Sequence, residues 1–138
     1  MKYFQLKIHH ALPVALLTLG LNAATIGSAQ ANDTCNNFTI KMTNRQSNEI
    51  KLTKLEYYDY DDHKWRTENV FGVDGEQKVE PNVFFSTKRD LQHIGGDKTN
   101  FRLSYKKHLG GSQWDDPKAI TTADFTCSDN GSREIIVS

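Results

Sequence analysis

The amino-acid sequence predicts an antiparallel β-sandwich of seven or eight short strands carrying one disulfide, with a small β-barrel as second choice. Three observations lead there. Apolar residues recur with period two rather than 3.6, the spacing of a half-buried strand. Turn-forming clusters interrupt the apolar runs about every 8–12 residues, the rhythm of small all-β folds. No stretch after residue 31 has the length and periodicity of a helix, and there is no internal repeat or low-complexity tract.

The strands follow in order. Between Asn37 and Thr43, Phe38, Ile40 and Met42 share one face, while Thr39, Lys41 and Thr43 share the other. Asn44 to Asn48 is a polar turn. Ile50 and Leu52 resume the alternation, but Leu55 and Tyr57 are out of phase with them by one residue, which predicts a β-bulge near Thr53 and Lys54. Leu52–Asp59 and Lys64–Asn69 read as two strands joined by a four-residue hairpin loop, Tyr60-Asp61-Asp62-His63. Gly72-Val73-Asp74-Gly75 is a second turn. Lys78–Pro81 and Val83–Ser86 read as short strands broken by the proline, a sign of a sheet edge or a bend. After a turn at Gly95-Gly96-Asp97, Phe101, Leu103 and Tyr105 form an inner face, with Arg102, Ser104 and Lys106 outside. Gly110 to Pro117 reads as a loop. Ala119–Cys127 and Arg133–Val137 are the last two strands, joined by Ser128 to Ser132.

The N-terminus carries a different signal. Lys2 and Lys7 precede an apolar run from Ala11 to Leu21, and Ala29-Gln30-Ala31 has the A-x-A form of a cleavage site. Residues 1–31 therefore read as a secretory signal peptide and 32–138 as a single sandwich domain, secreted or periplasmic. The apolar run is about half the ~20 residues that a membrane-spanning helix needs. Cys35 lies beyond the cleavage site without the small apolar box of a lipoprotein. Cys35 and Cys127 remain in the exported chain and are expected to pair, as an even cysteine count does in an oxidising compartment. The leader holds two of the seventeen basic residues and none of the seventeen acidic ones, which leaves a net charge of −2. That excludes a basic surface for nucleic acid. The compact leader has a bacterial look, which would leave the Asn-x-Ser/Thr triplets at Asn32, Asn37 and Asn130 unmodified.

The densest chemistry lies in residues 57–65, YYDYDDHKW. Asp59, Asp61 and Asp62 have D-x-D-D spacing suited to calcium, but the glycine and distal glutamate of an EF-hand loop are missing, and aspartates are favoured in turns for their own backbone bonds. No metal and no cofactor is expected: His63, His93 and His108 have no ligand spacing between them. The aromatics are more informative. Strand alternation cannot bury Tyr57, Tyr58 and Tyr60 together, Trp65 begins the returning strand, and Trp114 sits in a Gly-rich acidic stretch with no obvious core role. Tyr58, Tyr60, Trp65 and Trp114, with Asp61 and Asp62 as polar partners, are the expected binding residues.

No nucleophile elbow, zinc-binding helix motif or phosphate loop is present, so no enzyme is expected. The expected function is a non-catalytic module for a protein or carbohydrate ligand, of the inhibitor or immunity type among others. Two alternatives stand beside it. The layout resembles small lysin-type sandwiches such as actinoporins and aegerolysins in arrangement, though in no specific motif: an early strand ending in Thr43-Asn44, a central Tyr/Trp-rich stretch, and a closing Arg133-Glu134-Ile135-Ile136-Val137 strand. That resemblance implies membrane activity, with lipid as the partner. The other alternative is a small hydrolase using two carboxylates among Glu56, Glu68 and Asp115.

Overall fold

The computed structural model describes residues 33–138, so the leader reading of residues 1–31 lies outside the described residues. The described residues form eleven strands: β1 (Thr34–Asn44), β2 (Ile50–Asp59), β3 (Lys64–Glu68), β4 (Gln77–Val79), β5 (Phe84–Gln92), β6 (Lys98–Thr99), β7 (Phe101–Gly110), β8 (Gln113–Trp114), β9 (Lys118–Thr121), β10 (Phe125–Thr126) and β11 (Ser132–Val137). They exceed the expected seven or eight because short pairings interrupt segments that read as loop or as one strand. The stretch from Gly110 to Pro117 contains β8, and Ala119–Cys127 divides into β9 and β10.

Two sheets face each other. One runs β11-β1-β5; the other runs β3-β2-β7-β8, with β4 also on β2 and β9 also on β7. β6 and β10 form a small separate pair. The pairings are antiparallel except β1 with β11, which run parallel from Thr39↔Ser132 to Asn44↔Val137. The cause is local. The turn before β11 docks on the start of β1, with the Asn130 N–H donating to the Asn36 carbonyl at 2.9 Å, so both strands leave from the same end.

The period-two pattern sets the core. Phe38, Ile40 and Met42 from β1 meet Ile50, Leu52, Leu55 and Tyr57 from β2 and Phe101, Leu103 and Tyr105 from β7, all buried. The β2–β7 register slips between Leu52 and Lys54, the bulge that the phase change requires. Phe38 touches Phe101 and Phe125 at ring-centroid distances of 6.1 and 5.6 Å. The Tyr57 hydroxyl donates across the layers to the Gln92 carbonyl at 3.2 Å, which satisfies its polar end. The Cys35–Cys127 disulfide ties β1 to the chain just after β10.

Proline and asparagine share one turn. The Val83 N–H donates to the Glu80 carbonyl at 3.2 Å, with Pro81 second and Asn82 third in the turn. Asn82 has φ 61°, the left-handed position that a type II turn requires there. Gly131 is needed for closeness instead. A Cβ there would lie 2.8 Å from Phe38 Cε2 and 2.8 Å from the Ser128 carbonyl oxygen. Gly131→Ala is expected to destabilise the protein by about 1–3 kcal/mol through overpacking, read as a lower urea midpoint. An unchanged midpoint would mean that the Ser128 turn moves away at no cost.

Candidate functional site

The β2–β3 hairpin is built around one carboxylate. Asp59 is buried at the end of β2, and its Oδ1 accepts the N–H groups of Asp61 and Asp62, both at 3.0 Å. Its Oδ2 accepts from Arg66 Nε at 2.7 Å. Burial pushes this carboxyl up, but the Asp62 N–H, Arg66 and the Asp61 N–H outweigh it, and the group titrates below its ordinary value. The loop is the expected Tyr60–His63, with His63 at φ 51° closing it. Asp61 and Asp62 are exposed, and Asp62 pairs with Lys64 and Arg66, each at 2.6 Å.

Both oxygens of Asp59 are thus taken by protein donors, a turn staple rather than an open cation ligand. Asp33, Asp59, Asp61, Asp62 and His93 do surround a shallow recess. Among the described residues, no group of three or more His, Cys, Asp or Glu side chains is arranged to hold a metal ion.

Three of the expected aromatics meet on the outer face of the larger sheet. Tyr58 and Trp65 are a directly opposed cross-strand pair with centroids 5.1 Å apart at 64°. Tyr60 meets Tyr58 edge-on, at 4.8 Å and 83°. All three are half-buried. Cations flank the row: the Arg102 guanidinium lies 4.1 Å over the Trp65 ring, and the Lys98 ammonium 5.1 Å over Tyr60. Arg102 is held by buried Glu56 at 2.8 Å. Burial raises the Glu56 carboxyl, but Arg102 and Lys54 outweigh that and keep it below the usual range.

Tyr60 is fastened as well. Its hydroxyl donates to Asp124 Oδ1 at 2.9 Å, beside Asn100 Nδ2 at 2.7 Å and Lys98 Nζ at 2.6 Å from the same carboxylate. These three donors, Asn100 foremost, hold Asp124 down to about 2. The row Arg102–Trp65–Tyr58–Tyr60–Lys98 is therefore a set of side chains each fixed by neighbours, the preorganisation that recognition favours.

Trp114 is not part of this row. The expected loop position is corrected: Trp114 lies in β8, paired with His108 and tilted against its ring at 37° with centroids 4.8 Å apart, because the adjacent glycines let β7 fold straight back. The ammonium groups of Lys51 and Lys78 lie 4.6 and 5.6 Å from its ring centroid. Lys51 is seven residues before Tyr58 on β2, so the two tryptophans mark opposite ends of the sheet, about 20 Å apart by strand rise.

The carboxylates considered for hydrolysis do not converge. Glu56 and Glu68 occupy successive register positions, facing Thr67 and Leu55, and so point to opposite faces of the sheet. Asp115 belongs to the Trp114 end, where it holds Lys118 and the Lys107 N–H. A carboxylate pair that sequence reading did not anticipate is Glu80 beside Glu49, which pushes the Glu80 carboxyl above its ordinary value. Glu80 is exposed and Glu49 half-buried.

Arg102, Lys98, Asn100 and Asp124 were missed in the sequence. Their only signal was a polar position on the outward side of a strand or in a turn. Nothing local says that they reach a hairpin 40 residues earlier from Asn100 or 64 residues earlier from Asp124. No protein-family model, curated protein or solved structure matches the chain.

Proposed function

We propose that the chain is an exported, non-catalytic binding module that recognises a protein partner with the outer face of β3-β2-β7. The observation that carries this reading is the fixed row Trp65–Tyr58–Tyr60 with Arg102 and Lys98 at its ends. Aromatic and arginine side chains held by their neighbours and half-exposed at the hairpin end of a sheet face have the composition of an interface hot spot. The ring angles of 64° and 83° favour protein over glycan, since sugars stack on open ring faces. Here the rings meet edge to face, and a cation covers one face of Trp65 and of Tyr60. Export is supported by the A-x-A leader, and the disulfide is compatible with an oxidising compartment.

The test is capture of partners by the oxidised protein from extracts and secreted fractions of its source, beside Trp65→Ala, Tyr58→Ala and Trp114→Ala variants. Truncating Trp65 or Tyr58 is expected to weaken binding about 30-fold or more, equivalent to about 2 kcal/mol. Trp114→Ala is expected to change it less than about threefold. Unchanged capture by both hairpin variants would remove the site. Binding to a glycan array or to liposomes, with no protein captured, would move the function to sugars or lipids.

A further inference from the structure

The two sides of the sandwich differ in how they are closed. On one side the segment after β3 fills the gap: Val70 and Phe71 are buried, Phe71 packs on Phe85 at 6.1 Å, and Arg89 reaches the Asn69 carbonyl at 3.4 Å and Glu68 at 3.6 Å. On the other side β9 and β11 face each other across an open cleft of 270 Å3. Its lining includes Ile120, Thr121, Arg133, Glu134, Ile135 and Ile136. Among the described residues, β9 pairs only with β7 and β11 only with β1, so each turns an edge without a strand partner there to the cleft.

Unpaired edges invite strand addition, and proteins normally guard them with charge, proline or short length. The other edges here are guarded. β3 carries Lys64, Arg66 and Glu68; β5 carries Lys88, Arg89 and Asp90; β4 is three residues long and soon followed by Pro81; β9 is four residues long and follows Pro117. β11 has six residues and carries its two charges, Arg133 and Glu134, at its start; the rest is the uncharged run Ile135-Ile136-Val137, with Ile136 46 % exposed.

Charge identifies the occupant further. Glu134 also lines the cleft, but its charge is already paired with Lys41 at 3.1 Å, and it accepts a hydrogen bond from the Thr43 hydroxyl at 2.6 Å. Arg133 has no carboxylate partner among the described residues. Its guanidinium rests on the Phe125 ring at 5.1 Å and donates to the Ala123 carbonyl at 3.2 Å, at the start of β11. An apolar floor, free backbone edges and one unneutralised cation at one end fit an extended chain with alternating apolar residues and a terminal carboxylate. In the antiparallel sense, that carboxylate falls at the C-terminal end of the incoming strand.

We propose that the β9–β11 cleft receives such a strand from a partner protein by adding it to the edge of β11. This goes beyond the hairpin face, because it uses backbone edges and Arg133 rather than the aromatic row.

The probe is a capped six-residue peptide alternating valine and threonine and ending in aspartate, beside its twin ending in lysine, titrated into the oxidised protein to about 2 mM with amide NMR readout. Shifts are expected at Lys118–Thr122 and Glu134–Val137, with the aspartate peptide about fivefold tighter. Arg133→Gln is expected to equalise the two peptides. Ile136→Lys is expected to weaken both about tenfold with the melting temperature unchanged. Trp65→Ala is expected to leave peptide binding intact, which separates this test from that of the hairpin. No shifts, shifts confined to other elements, or a preference that survives Arg133→Gln would overturn the proposal. Concentration-dependent dimerisation abolished by Ile136→Lys would also overturn it and give the cleft to a second copy of the chain.

Discussion

Replacing Cys35 and Cys127 with alanine is expected to lower the stability by about 4–5 kcal/mol, the loop-entropy value for so long a closed loop. The cysteines are 92 residues apart in sequence, and their Cα atoms lie 5.9 Å apart in the fold. The bridge therefore restricts nearly the whole described chain in its unfolded state. Both residues are also fully buried, and the backbone of Cys127 exchanges bonds with the turn before β6: its N–H donates to the Asp97 carbonyl and its carbonyl accepts from Gly96, both at 2.9 Å. A domain of this size has about 5–15 kcal/mol in total, so the double variant is expected to be marginal. Urea unfolding of the oxidised protein and the variant measures the difference. A difference below about 1 kcal/mol would mean that the unbridged chain already holds its ends together when unfolded.

Asp59→Ala should be the most damaging change within the hairpin. It frees the Asp61 and Asp62 N–H groups and removes the buried partner of Arg66. Breaking a buried pair from one side costs about 3–5 kcal/mol, but Arg66 keeps Asp62 at 2.6 Å, so about 2–3 kcal/mol is expected. The pH dependence has a definite sign. The folded Asp59 carboxyl titrates below its unfolded value, so its contribution is complete above the unfolded value near ~3.9 and is lost as pH falls through the folded one. Asp59→Asn keeps the shape and one acceptor but not the charge. Its deficit against the natural protein is therefore expected at pH 7 and should shrink in strong acid. An equal deficit at both extremes would show that the turn bonds alone matter. Either variant should also loosen Tyr58 and Trp65, which the same hairpin carries, and weaken partner binding with them.

Most of what was legible in the sequence was local. The inward positions of Phe38, Ile40, Met42, Phe101, Leu103 and Tyr105 follow from period-two alternation, because successive strand residues must face opposite sides. The slip at Leu52–Lys54 follows from one change of phase, and the Tyr60–His63 loop from its turn residues. The disulfide was legible because only one pairing exists. Strand ends were less so: β5 runs on to Gln92, well past Ser86, since pairing with β1 rather than its own mixed pattern holds Lys88 to Gln92 in the sheet.

Sequence by itself thus determined the class of fold, the inward faces and the hairpin that displays the aromatics, all set by bonds and sterics within a few residues. Tertiary structure alone decided which side chains share a surface. It joined Tyr58, Tyr60 and Trp65 to Arg102, Lys98 and Asp124, and it sent Trp114 to the far end of the sheet. It also laid β11 parallel to β1 and left the cleft beside β9 open. Those outcomes depend on register and on contacts between residues far apart in the chain, and no local pattern encodes them.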